Sequence, residues 1–174
     1  MESLSPNLES TQFVTFRCNQ TLKLGYNDLF LDRKILVVGL SNIYGNLSYH
    51  HMLDYNQEYE KIKQLGIDEI YLVSSDDLTV GPWADKHSKN ILGLADPNRQ
   101  FVKVIADWSG QTVNISTLSQ YWQYVAIINS GSIEKVFYNH IKEKLPLRIL
   151  KDTKYRYHGL APHAIIEYLK TQKS

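Results

Sequence analysis

The spacing of apolar and polar positions changes several times along this chain, and each change marks an element. Gln12 to Arg17 (QFVTFR) alternates weakly, as a half-buried strand does. Leu22 to Leu24 can return beside it as a hairpin across Asn19 and Gln20. Lys34 to Leu40 (KILVVGL) is short, rich in β-branched residues and apolar after its first position, which suits a central strand buried on both faces. Helical spacing follows. Met52, Tyr55, Tyr59, Ile62 and Leu65 recur at three- and four-residue steps with charged residues between them, and Gly66 stands where a helix C-cap belongs. Asp68 to Ser74 (DEIYLVS) is another apolar strand, so the three segments form a parallel βαβ unit.

The second half continues in the same manner. Thr79 to His87 reads as a helix with Pro82 in its first turn, and Ile91 to Leu94 as a short strand. Arg99 to Ile105 is a short helix after the turn at Asp96 and Pro97. Tyr121 to Ile128 and Ile133 to Tyr138 are strands joined at Asn129 to Gly131, a good hairpin signal. Ala161 to Lys170 is helical, with Pro162 in its first turn. The order predicts an α/β fold: a mixed central sheet with helices on both faces and an N-terminal hairpin. There is no repeat and no linker, so residues 11–172 are expected to form one domain behind a polar, flexible segment over 1–10.

Composition narrows the classes of function. With 174 residues and 43% hydrophobic content, the chain can bury a sizeable core. Nineteen basic against eighteen acidic residues leave a net charge of +1, too weak a field to gather phosphates, so nucleic acid is not an expected partner. The start (MESLSPNLES) has neither a basic nor an apolar signal region, and the run from Ile35 to Leu40 is too short to cross a bilayer. One cysteine, Cys18, in a chain read as unexported fits the reducing cytoplasm, with no membrane attachment. The Asn-x-Ser/Thr triplets at Asn19, Asn46 and Asn114 are then chance matches. A lone cysteine also rules out an intramolecular dithiol–disulfide cycle.

Other candidate chemistry is thin. His50 and Asp54 can share a helix face, but two ligands fall short of a metal site, and no metal or cofactor is expected. Trp83, Trp108 and Trp122 suit packing better than base stacking, because a basic groove is missing. Tyr155, Arg156 and Tyr157 make one small basic–aromatic cluster suited to a loop or interface. The glycines at 39, 45 and 66 form no phosphate-binding loop.

Local sequences carry a resemblance to a known family. Leu29 to Leu40 (LFLDRKILVVGL) is similar to the "LF-x-x-K-K-hydrophobic-Gly" strand of peroxiredoxins, in particular the atypical two-cysteine, type II, peroxiredoxin-five-like branch. Gly66, Asp68, Glu69 and Ile70 resemble its "G-x-D-E-hydrophobic" stretch. Asp76, Trp83 and His87 resemble its "N-D…W-x-x-x-H", Ala95 to Phe101 its "A-D-P-x-x-x-F", and Leu160 to Pro162 its "L-A-P" helix start. These matches keep their order from about residue 12 to residue 170, nearly the whole chain. The resemblance implies a thioredoxin-like (redoxin) fold and an antioxidant family, often dimeric.

It also implies a site. The family pattern Pro-x-x-x-Thr-x-x-Cys places a cysteine in the first turn of the helix after that first strand, where unpaired N–H groups and the helix dipole stabilise a thiolate. An arginine from a later strand adds positive charge, and the thiolate attacks the peroxide O–O bond to become a sulfenic acid. Laid on this chain, the proline falls on Ser41, the threonine on Gly45, the cysteine on Ser48 and the arginine on Gln123. The branch's resolving cysteine falls on His158. Shortening the loop by one residue pairs His51 with the family's histidine and puts Leu47 or Ser48 at the cysteine.

Three readings follow. The first is a peroxiredoxin-like pseudoenzyme that keeps the fold to bind a protein or small ligand, with a homodimer implied by the family. Tyr44, Leu47, Tyr49 and His51 are its pocket candidates: a bound anion or small molecule there would mark a ligand site, whereas a pocket filled by Tyr44, Leu47 or Tyr49 would mark a purely structural remnant. The second is a divergent thiol peroxidase using Cys18. The third is a hydrolase or transferase with Ser48 as nucleophile, which needs a base such as His50 or His51 within reach; a helix cap at Ser48 is the favoured role.

Overall fold

The computed structural model describes residues 12–40, 43, 46–74, 79–96, 99–110, 122–138 and 160–173, the side chains of 46 and 47 aside. Of the candidate positions, Ser41, Tyr44, Gly45, His158 and the cluster Tyr155 to Tyr157 lie outside the described residues, as does the N-terminal segment 1–10.

The strands are β1 (Gln12–Arg17), β2 (Gln20–Gly25), β3 (Lys34–Leu40), β4 (Glu69–Ser74), β5 (Leu92–Ala95), β6 (Tyr124–Asn129) and β7 (Ser132–Tyr138). Among the described residues they form one seven-stranded sheet in the order β2-β1-β5-β4-β3-β6-β7. Strands β3, β4 and β5 are parallel, and the remaining pairings are antiparallel, so the sheet is mixed. The helices are α1 (Tyr26–Phe30), α2 (Asn46–Gln57), α3 (Tyr59–Gln64), α4 (Val80–His87), α5 (Gln100–Trp108) and α6 (Pro162–Gln172).

Strand alternation divides the core into two layers. Leu36, Val38 and Leu40 of β3 pack with Met52, Tyr55 and Ile62 of α2 and α3, Ala84 of α4 and Ile165 of α6. Ile35 and Val37 point the other way, among Leu29 and Phe30 of α1 and Phe101 and Ile105 of α5. Helices therefore cover both faces, as the apolar run of β3 requires. The Tyr55 hydroxyl donates to the Leu160 carbonyl and ties α2 to the start of α6. None of the described helices is long and apolar enough to cross a membrane.

Several local expectations need correction. The hairpin turns at Cys18 and Asn19, both at positive φ (51° and 61°), with Arg17 paired to Gln20. A two-residue loop with both central residues at positive φ matches the twist of its strands. The long helix is broken at Glu58 into α2 and α3. Leu29 and Phe30 close α1 and are not part of the strand they precede. Strand β5 is shifted one residue later, β6 starts at Tyr124, and α5 runs on to Trp108. Trp108 is 50% exposed at the end of α5, so it is not the packing residue expected, unlike buried Trp122.

Candidate functional site

The three parallel strands end together at Leu40, Ser74 and Ala95. At this carboxyl end, α2 begins shortly after β3, and β6 enters beside β3 with Tyr124 opposite Gly39. Loops meeting at such an edge gather residues distant in sequence, which makes it the natural place for a site.

Helix α2 starts at Asn46, so Ser48 is its third residue and not its N-cap; the capping role expected for it is corrected. Ser48 and His51 stand three residues apart on the inward face of the helix and are 4% and 3% exposed. Tyr49 is half-buried beside them and meets His87 edge-on at 5.1 Å, while His50 and Asp54 lie exposed on the solvated face. Leu47 lies in the first turn of α2.

Gln123 immediately precedes β6 and is 4% exposed. Trp122, Tyr124, Ala126 and Ile128 belong to the α5 layer, whereas Val125 and Ile127 belong to the α2 layer. Alternation therefore puts Gln123 on the α2 side, the layer of Ser48 and His51. All three residues take part in interactions with their surroundings. Burial lowers the His51 pKa to about 3, so at neutral pH its imidazole is uncharged, against the edge of the Tyr55 ring at 5.2 Å. A histidine that resists protonation this strongly is a poor general base for Ser48.

Cys18 sits elsewhere. Strand β1 runs antiparallel to β5, with Val14 opposite Ala95. Further along β1, Thr15 Oγ1 donates to the Gly93 carbonyl at 2.7 Å and Arg17 reaches the Lys89 carbonyl at 3.2 Å. The turn beyond Arg17 thus lies at the amino end of the parallel strands. Three strand spacings and about four residues of strand separate it from the edge where α2 begins, roughly 20 Å. Cys18 is an exposed free thiol in a turn between two strands. Among the described residues, no group of three or more His, Cys, Asp or Glu side chains gathers to hold a metal.

Sequence reasoning did not single out Tyr124, the residue after Gln123. Its ring lies over Gly39: a Cβ built on that glycine would fall 2.2 Å from two ring carbons. The signal was present, since a glycine inside a β-branched central strand marks a close approach by another group.

Comparison with known proteins agrees with this architecture. No protein-family model matches the chain. It is 28% identical over 156 residues to the hybrid peroxiredoxin hyPrx5 of Haemophilus influenzae, a match covering 86% of this chain and 64% of that protein. A peroxiredoxin of Rhizobium etli is 25% identical over 64% of this chain and 63% of its own length. The chain thus spans somewhat less than two thirds of these curated relatives. Reduced Prx3 of Vibrio vulnificus, solved in complex with H2O2, superposes with a TM-score of 0.72 at 16% identity, over 99% of this chain and 96% of that one. The Plasmodium falciparum antioxidant protein, a 1-Cys peroxiredoxin, does so with 0.69 at 21% identity, over 98% and 99%. The fold is that of the peroxiredoxins within the thioredoxin-like class, and the chain is similar in sequence to curated peroxiredoxins.

Proposed function

We propose that this peroxiredoxin-like chain has lost thiol peroxidase chemistry and retains its fold to bind another protein or a small ligand. One observation carries the reading: the single thiol stands at the opposite end of the sheet from the first turn of α2, and Ser48 stands in that turn. A serine hydroxyl is scarcely ionised at neutral pH and is not a redox centre. Gln123, at the position matching the family's arginine, brings no positive charge to stabilise an anion. On this reading the chain is a single-domain cytoplasmic relative of the type II, peroxiredoxin-five-like branch, and a homodimer is its expected assembly.

Two rivals meet specific obstacles. Cys18 is accessible to oxidants, but its turn offers no helix N-terminus to hold a thiolate. A hydrolase at Ser48 would rely on His51, whose imidazole is buried and has a depressed proton affinity. The test is steady-state peroxide consumption by the purified protein with thioredoxin or glutathione as reductant. No turnover above the protein-free control is expected, and turnover at peroxidase rates would defeat the proposal.

A further inference from the structure

We propose that the α5 side of the sheet's carboxyl edge holds an internal water molecule that bridges the Tyr124 hydroxyl and the Asp96 carboxylate. The geometry begins with Gly39. Because β3 carries no side chain there, the Tyr124 ring can lie across β3 and direct its hydroxyl beyond it, toward β4 and β5. Asp96 follows the last residue of β5, and its backbone N–H donates to the Ser74 carbonyl at 3.0 Å, which holds it on that edge. Leu94 belongs to the α5 layer and Ala95 to the α2 layer, so Asp96 returns to the layer of Tyr124.

No hydrogen bond joins the two groups directly. Asp96 Oδ2 accepts from the Phe101 N–H at 2.7 Å and so secures the first turn of α5. Asp96 Oδ1 and the Tyr124 hydroxyl, both buried, have no hydrogen-bond partner among the described residues. The Asp96 charge is nevertheless felt by Tyr124, adding to burial in raising its pKa. Polar groups that sense each other across a gap wider than a hydrogen bond are commonly joined by water. The α5 layer holds a third such polar group. Trp122 stacks on Tyr124 with centroids 5.0 Å apart, and its buried Nε1–H is also without a partner among the described residues. A water on the Tyr124 hydroxyl and Asp96 Oδ1 would make at least two of the two to four contacts typical of a buried water. The water would accept from the tyrosine hydroxyl and donate to Asp96 Oδ1, joining the start of β6 to the start of α5.

A crystal structure of the full chain that shows ordered solvent tests this. The expected result is one water within hydrogen-bonding reach of both Tyr124 Oη and Asp96 Oδ1. In Tyr124→Phe, which keeps the ring over Gly39, that water should be lost. Direct bonding of Tyr124 Oη to a protein group would overturn the proposal. So would a water that survives unchanged in Tyr124→Phe.

Discussion

The two ends of the sheet handle the same kind of chemistry in opposite ways. At the carboxyl end, where α2 begins, the polar residues Ser48, His51 and Gln123 are buried. At the amino end, in the β1–β2 turn, the only thiol is exposed between two strands. A reactive cysteine needs both features together: access to solvent, and positive charge or backbone N–H groups that stabilise the thiolate. Here accessibility lies at one end and the helix terminus at the other. Fold alone therefore does not establish activity.

The largest effect that would sharpen this contrast belongs to Gly39. A Cβ there would press into the Tyr124 ring at the heart of the carboxyl edge. Gly39→Ala should cost about 1–3 kcal/mol or more in chemical denaturation, because overpacking forces backbone and rings to shift. A loss below about 0.5 kcal/mol would mean that this end is not the tightly packed region described.

His51 gives the next effect, through pH. Its folded pKa lies near 3, below the ordinary histidine value of 6.5, so between these limits the unfolded chain binds the proton more readily. This contribution to stability is complete above about pH 6.5 and falls as the pH drops toward 3. Its full size is on the order of a few kcal/mol. Denaturation of His51→Phe across this range should show a shallower acid loss than the parent; identical slopes would contradict burial of a neutral imidazole.

Tyr55→Phe removes the hydroxyl that donates to the Leu160 carbonyl. A loss of about 1–2 kcal/mol is expected, since a buried carbonyl is left without that donor. Equal stability of the two proteins would separate α6 from the packing of α2. Cys18→Ser is the smallest change. At an exposed turn it should move stability by less than about 0.5 kcal/mol, and a larger loss would show that the thiol has a packing role.

Much of this arrangement was legible in the sequence because it rests on local rules. The apolar run of β3 marked a strand covered on both faces. Gly66 and Gly131 marked positions that the structure holds at φ of 101° and 84°, and Pro162 opens α6. Helix α1 escaped notice because five residues are too few to show a helical period. The break at Glu58 escaped because the apolar spacing continues through it. At the site, the motif resemblance directed attention to Ser48 and Gln123, but their burial depends on packing from distant segments. The Asp96–Tyr124 pairing is more remote still: it arises from a glycine on a third strand, which no periodicity along one segment reports.

The most direct test concerns the thiol itself. The rate at which hydrogen peroxide oxidises Cys18 can be followed by trapping sulfenic acid and reading its mass, with free cysteine treated in parallel. The separation of the thiol from the start of α2 predicts a rate close to that of free cysteine. Oxidation several orders of magnitude faster would show an activated thiolate at Cys18 and contradict the loss of peroxidase chemistry.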